Sequence, residues 1–276
     1  MYHSVQDVGN DPCNLRVRPC RFAEHLNVLR RMTRTWPLRQ LTDGLRQRAR
    51  LESGVVLTFD DGYADNLSNA KPLLERYGIP ATVFVTVCGV DSTEEFWWDE
   101  LERLILDTPA ATSARHRRFR FLLERLSHMT GTQRTATLER IRRWAGREPQ
   151  GRMTHRAMTA TQLRQLVQGG LIEVGAHTMT HPRLAELSIP EQQEEIRGSR
   201  QELERILDRR ISSFAYPHGS YGAGTPSLVR EAGFDCACSS IPDFVHPRTG
   251  IYQLPRMEVR NWDGETFARR LRQWLP

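Results

Sequence analysis

Two adjacent aspartates follow a short apolar run in the sequence. Residues 55–59 read Val-Val-Leu-Thr-Phe and are followed at once by Asp60, Asp61 and Gly62. Such a run is typical of a buried strand, and parallel α/β folds place reactive groups at the carboxyl ends of strands. Neighbouring carboxylates repel each other, so a dry strand end that carries two of them favours a bound cation. A solvated Asp-Gly turn is the alternative interpretation.

Two histidines four residues apart follow a second apolar run. His177 and His181 come directly after residues 171–175, Leu-Ile-Glu-Val-Gly. Imidazole is a common ligand for zinc and similar divalent ions, and this spacing allows both rings to reach one ion. With one aspartate from the first strand end, the histidines would make a three-ligand site with open positions, as a catalytic metal requires.

The elements that must position these groups read as an α/β fold. The strand at 55–59, a helix at 66–77 and a strand at 81–87 form a βαβ unit, and similar units continue to the end of the chain. Roughly seven strand–helix units favour a distorted or incomplete (β/α) barrel. Residues 95–158 break the alternation with three helical patterns, so we expect a helical insertion that serves as a lid or as an oligomer contact. Its first residues, 96–98, read Phe-Trp-Trp and could stack on a sugar or pack in the core.

Composition limits the classes of partner. The net charge is +6, and Lys71 is the single lysine among the 39 basic residues. The arginines are dispersed and no nucleic-acid-binding motif accompanies them, so nucleic acid is not expected. No signal peptide or transmembrane run is visible, and the five cysteines are odd in number and lack metal-site spacing. We therefore expect a reduced cytoplasmic protein. The opening residues resemble the tail of a strand, so upstream residues could be missing and export stays open.

Three motifs together resemble the polysaccharide deacetylase family, the carbohydrate esterases of family 4 with a NodB-like domain. They are Thr58-Phe-Asp-Asp-Gly62, His177-Thr-Met-Thr-His-Pro182 and Phe214-Ala-Tyr-Pro-His-Gly219. The resemblance implies a (β/α) barrel and a single NodB-like domain over residues 1–276, with the insertion at about 95–158.

The resemblance also implies roles for individual residues. Asp60 would be the base that activates water. The family's third motif lines the groove, and a backbone N–H there helps to hold the oxyanion. In this chain that donor would be Tyr216, just before Pro217. One divalent ion would be bound by Asp61, His177 and His181. Zinc is the expected ion, and cobalt, nickel and manganese are alternatives.

Two departures from the family pattern lead to further predictions. Ala215 stands where the family's commonest form has an arginine that tethers the base, and Arg256 is the best substitute because it follows a late strand. The family's usual acid is a histidine in a late Leu-x-His motif, which is absent here. Some members instead open with a Tyr-His motif, as Tyr2-His3 does, so we expect His3 to be the acid.

The function that this set of residues predicts is metal-dependent removal of N-acetyl groups from amino sugars of a polysaccharide or glycoconjugate. Two alternatives stay open. One is a deacylase of a small acylated sugar or secondary metabolite, and the other is a non-catalytic glycan-binding module. The intact pair of aspartates argues against the module, because binding alone does not need a free base beside a metal.

Overall fold

The computed structural model describes residues 1–7, 9, 11–49, 52–107, 112–147 and 151–275. In these residues the strands are β1 (Ser4–Val5), β2 (Arg16–Val17), β3 (Arg34–Thr35), β4 (Gly54–Val55), β5 (Leu57–Phe59), β6 (Ala81–Val85), β7 (Ile172–Ala176), β8 (Ser213–Ala215) and β9 (Cys236–Cys238). The α-helices are α1 (Pro19–Met32), α2 (Leu38–Arg46), α3 (Lys71–Tyr77), α4 (Trp97–Leu106), α5 (Ser113–Ser127), α6 (Gly131–Ala145), α7 (Ala160–Leu166), α8 (Ile189–Leu207), α9 (Thr225–Glu231) and α10 (Gly264–Trp274). None of the helices in this part of the chain is both long and apolar enough to cross a bilayer.

The central sheet has five parallel strands, β5 to β9, in chain order. Every residue of β6 is buried, because helices cover the outer face and side chains fill the inner one. The four crossovers run through α3, through α4 to α7, through α8 and through α9, and this repeated βα unit brings the strand ends to one rim. The predicted α/β fold with a distorted, incomplete barrel is confirmed.

The predicted number of strands, about seven, is higher than the five in the continuous sheet. The two missing positions are filled by short extended segments. Tyr2 forms a single parallel bridge with Phe59, and Leu254 forms one with Cys238. These segments meet where the Val259 N–H donates to the Met1 carbonyl at 3.0 Å. Single backbone bridges and hydrogen bonds, rather than regular strands, therefore join the two edges of the sheet. These contacts bring the segments around Tyr2 and Leu254 close to each other.

In the described part of 95–158, where a helical insertion is predicted, the helices α4, α5 and α6 follow one another. Residues 108–111 and 148–150 lie outside the described residues. The three helices pack around a core of their own, formed by Leu101, Ile105, Leu106, Phe119, Leu126 and Leu138. Phe96 and Trp98 are 7% and 5% exposed and their rings stack on each other at 4.8 Å, so they pack in the core rather than offer an open sugar platform.

Candidate metal and catalytic site

A strained turn after β5 points the two aspartates in different directions. Asp61 has φ +72° and Gly62 has φ +83°, both in the left-handed region. A Cβ on Gly62 would lie 3.1 Å from a methyl carbon of Val85, so glycine fits the turn both sterically and conformationally. As a result, the Asp60 carboxylate faces Arg256, whereas Asp61 faces His177 and His181.

The two histidines and Asp61 converge as predicted from the sequence. His177 Nε2 lies 3.7 Å and His181 Nε2 3.4 Å from Asp61 Oδ1. Donor atoms around a tetrahedral ion with bonds near 2.05 Å stand about 3.3 Å apart. The three side chains are buried, and their donor atoms all lie within 4.8 Å of one another. This spacing is close to that of a ligand set around one small divalent ion.

Hydrogen bonding and charge in this cluster also fit a cation. The Nδ1–H of His177 donates to the Ala215 carbonyl at 2.8 Å, which leaves the Nε2 lone pair facing Asp61. Burial raises the pKa of Asp61 well above its usual range, and the Asp60 carboxylate raises it further. Burial lowers the pKa of His181 well below its usual range. A dication would compensate the buried carboxylate and needs the histidines neutral, so the residues present fit a zinc-like ion.

Arg256 holds Asp60 with two parallel hydrogen bonds. The distances from Nη1 to Oδ1 and from Nη2 to Oδ2 are 2.7 and 2.8 Å. The guanidinium is itself fixed by the Ser239 carbonyl and the Thr58 hydroxyl. Burial alone would raise the pKa of Asp60, but the charge and hydrogen bonds of Arg256, with the charges of His177 and His3, together outweigh burial and hold that pKa well below its usual range. Arg256 thus lies where the predicted tether would be needed, and Asp60 stays ionised.

His3 lies on the same rim. The Tyr2 N–H donates to the Thr58 carbonyl at 2.8 Å, and the Asp60 N–H donates to the Tyr2 carbonyl at 3.0 Å. This pairing places His3 beside the end of β5, where its carbonyl accepts from the Asn66 amide at 2.9 Å. Burial lowers the pKa of the His3 imidazole to about 4, although the Asp60 carboxylate opposes this shift.

The third motif needs a correction. The Tyr216 N–H donates to the Cys238 carbonyl at 3.0 Å as part of the β8–β9 pairing. It is therefore not free to hold an oxyanion, and that part of the sequence prediction is wrong for this conformation. Pro217 has no N–H. His218, the next residue, adopts φ +56° and places its ring 4.6 Å from that of His181, so the wall of the site comes from His218 rather than from the Tyr216 amide.

Sequence reasoning missed a carboxylate that fixes the loop between the two histidines. Glu195, on α8, accepts from the Met179 N–H at 2.7 Å, from the Thr180 N–H at 2.9 Å and from the Thr180 hydroxyl at 2.6 Å. Thr178 and His181 have φ of +66° and +57°, so this loop needs such support. In the sequence, a glutamate within a predicted helix is expected to be solvent-exposed, and nothing distinguishes Glu195 from neighbouring glutamates such as Glu194.

A second missed group reaches His181 from the insertion. The Trp98 ring lies 4.8 Å from that of His181, and its Nε1–H donates to the Tyr63 hydroxyl at 2.7 Å. That hydroxyl donates to Asp99 at 2.7 Å, and Asp99 pairs with buried Arg16. The insertion and the N-terminal part of the chain therefore buttress one side of the histidine cluster. The sequence shows three consecutive aromatic residues but not their partners, which lie 35 or more residues away in the chain.

We expect Glu195→Ala to weaken metal binding by about 10- to 100-fold, as is common when the group supporting a ligand is removed. The matched control is Glu194→Ala, an exposed glutamate on the same helix. The measurement is a competition titration of each metal-free variant with a chelating dye. Equal affinity in the two variants would show that Glu195 does not position the histidine loop.

Comparison with known proteins gives the class of the protein. The sequence profile described as polysaccharide deacetylase matches residues 47–116 and 124–237. The chain therefore belongs to the polysaccharide deacetylase family and is an amidohydrolase that acts on carbon–nitrogen bonds other than peptide bonds. The profile also covers part of the insertion.

Individual relatives are distant in sequence. The chain is 23% identical over 264 residues to YxkH of Bacillus subtilis strain 168, provisionally described as a polysaccharide deacetylase; the alignment covers 94% of this chain and 70% of YxkH. The structure of Streptococcus pyogenes deacetylase PplD in complex with acetate is similar, with a TM-score of 0.68, 20% identity and coverage of 100% and 96% of the two chains. IcaB from Ammonifex degensii has a TM-score of 0.68 and 20% identity, with coverage of 99% and 94%. These two structures share the fold.

Proposed function

We propose that the protein is a metal-dependent hydrolase that removes N-acetyl groups from amino sugars of a polysaccharide or glycoconjugate. The observation that carries this proposal is the convergence of Asp61, His177 and His181 beside an ionised Asp60 clamped by Arg256. The family assignment supports the chemistry. The acetate in the structure of the similar deacetylase PplD is the small product that such a reaction releases.

In the proposed reaction, Asp61, His177 and His181 would hold a divalent ion, which would supply Lewis-acid chemistry for the attacking water and the acetyl carbonyl. Asp60 accepts the proton of that water. Its low pKa keeps it ionised at neutral pH, so it is ready to accept. Both of its oxygens bind Arg256, which fixes the carboxylate and leaves the remaining lone pairs for the water.

The leaving amine needs a proton, and we assign the donor to His3. With a pKa of about 4, its ring is neutral at neutral pH in the resting protein. It must therefore take up a proton from the solvent before it can protonate the amine, and Asp60 in turn releases to the solvent the proton that it accepted from the water. Negative charge that develops on the acetyl oxygen beside the ring favours this uptake. The product amine and acetate then leave, and the site returns to its starting protonation.

His3→Ala is expected to lower kcat by roughly 100-fold or more, the usual range for general acid–base catalysis. The metal content and the thermal unfolding temperature should stay near those of the wild type, because the ring neither ligates the ion nor fills the core. The matched control is His246→Ala, an exposed histidine of the loop before Thr249. Full activity in His3→Ala would instead direct the search for the acid to His218.

The test of the proposed function is acetate release from two kinds of substrate, N-acetylated chito-oligomers and small N-acetylated sugars. The metal-loaded protein, the chelator-treated protein and the reloaded protein are assayed in parallel. We expect release from the oligomers that disappears on chelation and returns with zinc. Preference for the small sugars would favour the alternative function, a deacylase of small molecules. Undiminished release after complete removal of metal would contradict the proposal.

A further inference from the structure

The net positive charge of the protein is concentrated in one hairpin of helices, residues 112–147, which contains α5 and α6 and is called the insertion hairpin below. This range has ten arginines and two glutamates, a net charge of +8. The whole chain carries +6, so the remaining residues together carry −2. Arginines occur throughout the chain, but the carboxylates that would neutralise them are scarce in residues 112–147. The insertion hairpin is therefore the strongly basic part of the molecule.

The exposed faces of the hairpin keep most of this charge unpaired. Several of its arginines are exposed and have no carboxylate oxygen within 4.0 Å among the described residues. They are Arg117, Arg118, Arg120, Arg125, Arg140 and Arg143. On α5, the 3.6-residue period places Arg117, Arg118 and Arg125 on one face with Phe121. The charge is thus available to a partner rather than used in the fold.

Two large aromatic side chains project from the same surface. Phe121 is 61% exposed and Trp144 is 63% exposed. The Arg118 guanidinium lies 5.0 Å from the Trp144 ring, and that of Arg125 lies 5.9 Å from the Phe121 ring. Arg118 and Phe121 are one turn apart on α5, so both rings and their arginines belong to one continuous patch. Helices that bind at the headgroup layer of a membrane typically carry aromatic side chains next to basic residues.

We propose that this face of the insertion hairpin docks on an anionic phospholipid surface. The arginines bind headgroup phosphates, and Phe121 and Trp144 insert at the boundary between headgroups and acyl chains. The charge argues against a second copy of the chain as the partner, because two hairpins that each carry a net charge of +8 would repel each other. A soluble polyanion would satisfy the arginines but would leave both rings exposed to water. The proposal does not depend on the substrate or the metal of the catalytic site.

The test is sedimentation of the full-length, metal-loaded protein with vesicles. One set contains phosphatidylglycerol and phosphatidylcholine in equal amounts, and the other contains phosphatidylcholine alone. We expect binding to the first set that weakens with salt, no binding to the second, and a blue shift of tryptophan fluorescence on binding. Equal binding to both sets, or none to either, would overturn the proposal.

Two triple variants distinguish binding through the insertion hairpin from nonspecific attraction by positive charge anywhere on the protein. Each basic residue near an anionic bilayer strengthens binding roughly fivefold. Arg117→Gln, Arg125→Gln and Arg140→Gln together should therefore weaken vesicle binding about 100-fold. The matched control changes three exposed arginines outside the hairpin, Arg209→Gln, Arg230→Gln and Arg272→Gln. Equal losses in the two triple variants would mean that no particular face docks, and the proposal would be wrong.

The aromatic variant tests the kind of partner. Phe121→Ala with Trp144→Ala removes only exposed rings, so the fold and acetate release from soluble oligomers should not change. It should lose vesicle binding at least tenfold and abolish the fluorescence shift. If this variant instead binds the anionic vesicles as well as the wild type, and the wild type binds polyphosphate equally tightly, the hairpin recognises soluble polyanions and the lipid proposal fails.

Discussion

Asp60→Asn is expected to lower kcat by about two to four powers of ten while the protein keeps its metal. An amide has no lone pair basic enough to accept a proton from water at neutral pH, whereas the ligands of the proposed metal site are Asp61 and the two histidines, which this change leaves intact. The measurements are acetate release and metal content on the same preparation. Loss of metal together with activity would mean that the roles of the two aspartates are exchanged.

The same substitution also leaves Arg256 without its counter-charge. Arg256 is 8% exposed and Asp60 is 4% exposed, and removing one partner of a buried ion pair typically costs about 3–5 kcal/mol of stability. Thermal unfolding must therefore accompany the kinetics. Arg256→Met serves as the companion variant, because it breaks the same pair but keeps the Asp60 carboxylate. We expect Arg256→Met to be similarly destabilised but clearly more active than Asp60→Asn. Equal activity of the two variants would mean that the loss comes from the broken ion pair and not from the missing base.

His177→Ala is expected to reduce metal content from near one ion per chain to a small fraction, with activity falling in parallel. This change removes one of the three proposed ligands, together with its Nδ1 hydrogen bond to the Ala215 carbonyl, which orients the ring. The matched control is His25→Ala, because His25 is also a fully buried histidine, packed against Tyr2 and Phe267. His25→Ala should lose stability but keep its metal. Full metal retention in His177→Ala would remove His177 from the site.

The core of the site was predictable because the chain supplies it locally. Asp60 and Asp61 are adjacent, and His177 and His181 are four residues apart, so the chemistry of each pair could be read within a few residues. The two pairs meet because each follows a strand of one parallel sheet. The fold class was predictable for the same reason, since buried strands and amphipathic helices have distinct sequence periods.

The groups that support the site were harder to predict. Arg256 lies 196 residues from Asp60 in the chain and was one of many arginines, so only the missing arginine at position 215 singled it out. Glu195 gave no signal, since its role depends on how α8 packs against the histidine loop. The error at Tyr216 has a different cause. Whether a backbone N–H is free depends on strand pairing, and the sequence does not show that Cys238 takes this one.

A zinc titration of the metal-free protein, with bound metal and acetate release determined on each sample, tests whether the catalytic metal is held by Asp61, His177 and His181. We expect activity to rise linearly with bound zinc and to stop rising at one equivalent. Asp61→Ala, treated identically, should bind no zinc in this range and stay inactive. Full activity at well below one equivalent, or a first bound equivalent that restores none, would contradict a catalytic metal held by Asp61, His177 and His181.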